Sequence, residues 1–217
     1  MPSASTQLQL YTMQARPLFL AGLAAVYSCA FISYYLQFEG LFGIDGLMPA
    51  GLHHRKVAER LGGRPLQDKL RAHPSLLWLL RKDDDIDVAL ELVSVVGIVC
   101  SFLGVAGANH GALFLIMFSC YLTLFSCGQT FLSFQWDLFL LETGALAILY
   151  APWLSNSARD EAGAAHPMTW VLRASWVKFM VMSGAVKVFA HCPTWKELTG
   201  ALLFASWSHA TQRPMPR

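Results

Sequence analysis

Five apolar segments, each close to the length that crosses a lipid hydrocarbon core, constrain this chain more than any other feature. They run from about residue 18 to 36, 88 to 106, 112 to 127, 134 to 154 and 168 to 190. A hydrocarbon core about 30 Å thick needs roughly 20 apolar residues of helix. Backbone in lipid has no water to bond with, so a segment of this kind must be helical. The composition agrees. Hydrophobic residues make up 55% and charged residues 14% of the 217 positions, well below the roughly 25% charged of soluble domains. The expected fold class is all-α, a multi-pass transmembrane helical bundle of about five spans, with residues 1–217 forming one membrane domain.

The first segment follows a polar leader whose only basic residue is Arg16, and it begins after Pro17, which suits a first helical turn. It is longer than a signal-peptide core and lacks a small-residue cleavage site, so it reads as an uncleaved span. A polar loop follows, about Gln37 to Asp87. It opens with the turn-rich stretch Gly40–Gly51 and continues into a basic amphipathic piece around His53-His54-Arg55-Lys56. Next comes Ser75-Leu76-Leu77-Trp78-Leu79-Leu80, too short to span and suited to an interface. The acidic run Asp83-Asp84-Asp85-Ile86-Asp87 closes the loop and opens the next helix, because acids favour helix N-termini. In the second span Gly97, Ser101 and Gly104 place small residues at helical spacing, which favours close helix contact in lipid. Gly107-Ala108-Asn109-His110-Gly111 makes a short hairpin, and the third span is short unless it extends to Phe131.

Charge bears on orientation rather than on partners. The net charge is +2 and no basic stripe interleaved with aromatics suggests nucleic acid. The loop Gln37–Asp87 holds eight of the 16 Lys and Arg, and the positive-inside rule places it in the cytoplasm. The five cysteines form no CxxC pair and no visible disulfide framework. Cys29, Cys100, Cys120 and Cys127 read as small apolar helix residues, and Cys192, at a membrane edge, as a free or intermolecular thiol. His53-His54 reads as a solvated loop pair, so no metal site is expected. Nothing matches a zinc protease, a nucleophile elbow or a phosphate loop.

The apolar blocks carry charges that need a reason. Asp137 and Glu142 lie in the fourth span, and Lys178 and Lys187 lie deep in the fifth. Each costs at least about 2.5–3.5 kcal/mol in a bilayer. If these spans are antiparallel neighbours, Asp137 and Lys187 share a depth. Glu142 and Lys178 then differ by about four residues, or ~6 Å at ~1.5 Å per residue. The pairs Asp137–Lys187 and Glu142–Lys178 are therefore geometrically sensible. They hold the bundle together, or they form a catalytic or transport site in which a buried lysine serves as base.

Three stretches resemble the lipase maturation factor family, with detail closer to its second paralogue type than to its first. The first is Gly128-Gln129-Thr130-Phe131-Leu132-Ser133-Phe134-Gln135-Trp136-Asp137, running on to Leu141-Glu142-Thr143-Gly144. The second is Ser183-Gly184-Ala185-Val186-Lys187 followed by Cys192-Pro193-Thr194-Trp195 and Leu198-Thr199. The third is Tyr34 to Ala50, similar to the family's first luminal loop. Gln129, Gln135, Trp136, Glu142, Gly144, Lys187, Cys192 and Trp195 are the signature positions.

The resemblance implies a multi-pass endoplasmic reticulum membrane protein that assists folding and assembly of secreted lipases, or of other secretory-pathway clients. Its partners are then membrane lipid and those clients, with no catalysis and no cofactor. It also implies that the first loop is luminal, against the positive-inside count. Family members run far beyond this length, and Trp207-Ser208-His209-Ala210-Thr211-Gln212 keeps only a trace of a longer family stretch. The chain thus resembles a C-terminally truncated form lacking the luminal client-binding region. Two other classes stand beside this one. A membrane-embedded enzyme related to vitamin K-dependent carboxylase-like domains would use Lys178 or Lys187 as base, and a channel or transporter would be lined by Asp137 and Glu142.

Overall fold

The computed structural model describes residues 4–79, 85–153 and 167–190 and the single positions Thr194 and Thr199. Every regular element among these residues is helical. The helices are α1 (Ala4–Leu41), α2 (Ala50–Arg60), α3 (Leu66–Ala72), α4 (Ile86–Val105), α5 (Gly111–Cys127), α6 (Gln135–Tyr150) and α7 (Pro167–Phe189). Two 3-10 turns, Leu76–Leu79 and Gln129–Leu132, complete the regular structure. The chain divides into two compact units, Met1–Arg173 and Ala174–Arg217. Within the first, α1 packs along α4, and α5 packs between α4 and α6. The described part of the second is the remainder of α7 with Ala190, Thr194 and Thr199.

Helix α4 shows which solvent the bundle is built for. Beyond Leu90 it buries Ser94, Gly97, Ser101 and Gly104, and it exposes Leu92, Val95, Val96, Val99, Phe102 and Leu103. A soluble helix does the reverse. In lipid, outward apolar side chains cost nothing, and small inward ones let helix backbones approach. A Cβ on Gly97 would enter the Phe31 ring of α1, and one on Gly104 would meet the Ala24 methyl. Ser94 and Ser101 satisfy their hydroxyls on their own helix, donating to the carbonyls of Leu90 and Ile98 at 2.8 Å each. The small-residue spacing in the sequence therefore marks the α1–α4 seam. Two helices, Ala15–Leu41 and Ile86–Val105, are long and apolar enough to cross a membrane, and Gly111–Cys127 is a shorter apolar helix.

Helix α1 is longer than its apolar block. It runs through Pro17 and back to Ala4, and forward to Leu41. An interior proline removes one backbone hydrogen bond, and Arg16, next to it, is tied elsewhere. The Arg16 guanidinium donates from Nε at 2.8 Å and from Nη2 at 2.5 Å to the Tyr150 carbonyl. It also lies 5.2 Å from the centre of the Tyr150 ring. A cation there satisfies an orphan carbonyl and complements the negative end of the α6 dipole. At the other end α1 takes in Gln37–Leu41, which the sequence assigns to the loop. The chain then turns back on itself. Phe42 stacks on Tyr34 with ring centroids 4.7 Å apart, and the Ala50 amide donates to the Phe42 carbonyl at 2.9 Å.

The remaining loops follow their residues closely. Asp85 caps α4 by accepting from the Asp87 amide at 3.0 Å, as the acidic run predicts. At the α4–α5 hairpin Gly107 has φ +103, a conformation open to glycine. His110 caps α5 by accepting from the Ala112 amide at 3.2 Å. Helix α5 stops at Gly128 and does not run on to Phe131. Gln129 adopts φ 50, and the backbone tightens into the 3-10 turn before α6. This places the α5–α6 turn at the same end of the bundle as the 42–79 segment.

Candidate functional site

Asp137 lies in the first turn of α6 and is buried. Its Oδ2 accepts from the Phe134 amide at 3.2 Å, one half of a capping box, and its Oδ1 accepts from the Tyr121 hydroxyl of α5 at 2.9 Å. An acid at a helix N-terminus also meets the positive end of the dipole. The carboxylate thus has both oxygens engaged by the α5–α6 corner. Tyr121 in turn meets Tyr27 and Phe31 edge-on, with centroids 5.7 and 5.9 Å apart. The Tyr27 hydroxyl donates to the Leu140 carbonyl at 3.2 Å. Beside Asp137 opens a mostly apolar crevice of about 460 Å³, with Cys29, Tyr34, Tyr121, Phe131 and Trp136 among its walls.

The signature positions separate by role. Gly144 faces Tyr27, whose hydroxyl occupies the space a Cβ would need. Gln129 makes the left-handed turn after α5 and donates from Nε2 to the Met48 carbonyl at 3.4 Å. Gln135 opens α6, and Trp136 is exposed with Phe134 stacked on it at 4.5 Å. An exposed aromatic pair at a helix end suits a membrane–water interface. Glu142 lies on the exposed side of α6, five residues beyond Asp137. Lys178 and Lys187 lie on α7. Cys192 and Trp195 fall outside the described residues.

One expectation needs correction. His53-His54 is not a solvated pair, because α2 turns His54 inward, where 6% of its surface is exposed. His73 is buried as well, after the end of α3, and so is Cys127, the last residue of α5. Ligand-capable atoms of His54, His73 and Cys127 all lie within 4.8 Å of one another. Cys127 is therefore more than a small apolar filler. Its Sγ is 4.0 Å from His73 Nε2.

The same loop is pinned to α5. Ser126 donates to the Pro74 carbonyl at 2.6 Å, and the Leu76 amide donates to Thr123 Oγ1 at 3.0 Å. The Trp78 indole donates to the His73 carbonyl at 2.8 Å, and its ring lies 4.9 Å from that of His54. Burial pushes the His73 imidazole down to about 4, with His54 and His53 adding to the effect. Burial also lowers His54, again helped by its neighbour His53. Sequence reasoning missed this group. Its members are spread over positions 54, 73 and 127, and no local spacing signals them.

An all-helical bundle with spans of this length, one of which, α4, turns Ser94, Gly97, Ser101 and Gly104 inward and apolar side chains outward, is a helical membrane domain. The chain belongs to the lipase maturation factor family, because the model of the lipase maturation factor transmembrane domain matches residues 14–217. It is 43% identical over 189 residues to lipase maturation factor 2 of Gallus gallus, covering 85% of this chain and 26% of that protein. It is 38% identical over 196 residues to the Homo sapiens lipase maturation factor 2, covering 85% and 27%. Lipase maturation factor 1 of Bos taurus is 33% identical over 190 residues, covering 85% and 33%. The chain thus spans about a quarter of the length of the type 2 relatives it matches. No solved structure matches.

Proposed function

We propose that this chain is a multi-pass membrane domain of the endoplasmic reticulum that supports maturation, folding and assembly of secreted lipases. The observation that carries the reading is the family match across nearly the whole chain, together with relatives named as lipase maturation factors. The geometry is in keeping with a scaffold. Asp137 is engaged by Tyr121 and by a helix cap, and the signature glycine serves helix packing. The reading takes the chain as non-catalytic, with five spans and with membrane lipid and secretory-pathway clients as partners. The charge pairs Asp137–Lys187 and Glu142–Lys178 belong to the proposal on sequence depth alone.

The test is restoration of secreted lipase activity in cells lacking the factor, comparing this chain with a full-length relative. Restoration by both places client work in the membrane domain, and restoration by the full-length relative alone makes this part an anchor. Within the full-length relative, changes equivalent to Glu142→Ala should lower activity, and adding Lys178→Ala should restore part of it. Simple addition of the two losses would remove the pairing. Restoration of lipase activity by neither protein would overturn the proposed function.

A further inference from the structure

We propose that His54, His73 and Cys127 form a three-coordinate binding site for Zn2+ or a chemically related d10 ion such as Cu+. The donors are the right kind. Two imidazoles and one thiolate form a borderline set that both ions accept. The three come from different parts of the fold, namely α2, the segment after α3 and the end of α5. Ligand atoms on a tetrahedral zinc stand about 3.3–3.8 Å apart, from bonds of about 2.0–2.3 Å. Here all three lie within 4.8 Å, with the Cys127–His73 pair at 4.0 Å. A shift of about an ångström or less per side chain would close the site on an ion.

A second observation points to a ligand. His54 Nδ1 is buried and has no hydrogen-bond partner, although the residue is 94% buried by the complement of its 6% exposure. An unsatisfied buried polar atom costs about 1–3 kcal/mol, a cost that an ion bound at this nitrogen would remove. The surroundings resemble an outer shell. Trp78 walls off His54 and fixes the backbone at His73 through its indole. His53 lies at the edge, its ring 5.8 Å from that of His73, and is not one of the three ligands. With three protein donors the site keeps one position open, to be filled by water or left empty by a trigonal ion. Closing it would tie the 42–79 segment to the end of α5.

The experiment uses the whole chain, purified in detergent and stripped with a chelator. Co2+ is added first, as a coloured stand-in for Zn2+. A sulfur-to-cobalt charge-transfer band is expected for a zinc site, and absence of that band together with failure of the folded parent chain to bind Cu+ overturns the proposal without any variant. Zn2+ and, under reducing conditions, Cu+ are then titrated against a competing chelator dye. One ion per chain is expected, and the tighter of the two identifies the resident ion. His54→Ala and Cys127→Ala should weaken binding by more than the roughly 10–100-fold typical of outer-shell changes, while His53→Ala leaves it unchanged. Equal binding by the parent and by both ligand variants, or loss only with His53→Ala, would refute the site.

Discussion

At the scale of single residues, the hardest constraint is the contact between Gly144 and Tyr27. The Tyr27 side chain is fully buried, stacked on Phe31 at 5.9 Å and hydrogen-bonded to the Leu140 carbonyl. It has nowhere to move if a methyl group appears on Gly144. Overpacking of this kind costs typically 1–3 kcal/mol. Gly144→Ala should therefore lower the melting temperature of the detergent-solubilised protein. Adding Tyr27→Phe, which removes the clashing hydroxyl, should recover part of the loss. Fully additive losses in that double variant would show that the clash is not with the hydroxyl. Asp137 illustrates a different point. Its residue type and position are legible in the sequence as a charge in an apolar block. Its hydrogen bonds to Tyr121 and Phe134 depend on how α5 and α6 meet, which no local pattern specifies.

At the scale of elements, small residues set how closely α1 and α4 approach. Gly97 and Gly104 admit Phe31 and Ala24, and Ser94 and Ser101 line the same face. In lipid, van der Waals contact across such a seam replaces the hydrophobic drive that water would supply. Gly97→Val would push α1 and α4 apart. It should lower the melting temperature and increase protease cleavage between residues 61 and 65, with little change in helix content. An unchanged melt would show that α1 bends around the added methyl groups at low cost. The helix types were readable because each apolar block exceeds the length of a buried strand. The ends were less so. Helix α1 passes through Pro17 to Ala4, and α5 stops at Gly128. Arg16, beside Pro17, reaches Tyr150, and the left-handed turn at Gln129 follows the end of α5, both consequences of packing.

At the scale of the whole molecule, the segment 42–79 is a folded cap on one end of the bundle of the first unit rather than a solvated loop. Its inner surface holds His54 and His73, both lowered chiefly by burial, with His53 adding to each and His54 adding to His73. The sign of the resulting pH effect is set by the lowered values. Below its ordinary value of 6.5, His73 in an unfolded chain takes up a proton, and the folded chain resists until about 4. Stability is then fully present above about 6.5 and lost progressively as pH falls toward 4. In chelator-treated protein, the melting temperature should fall across that window, and His73→Gln should flatten the decline. A flat profile in the parent chain would mean that the imidazoles are wetter than their burial indicates.

The sequence by itself determined the class, because segment length and composition decide which solvent a helix can face. It also determined the family, because three blocks of signature residues occur in order along the chain. The tertiary structure decided what the polar residues touch. Asp137 meets a tyrosine from the preceding helix, Gly144 meets one from the first, and His54 and Cys127 meet across 73 positions of chain. The reason is physical. Solvent preference is local and additive along a segment, whereas a hydrogen bond or a ligand set needs two or three distant backbones held within a few ångströms, and only packing specifies that.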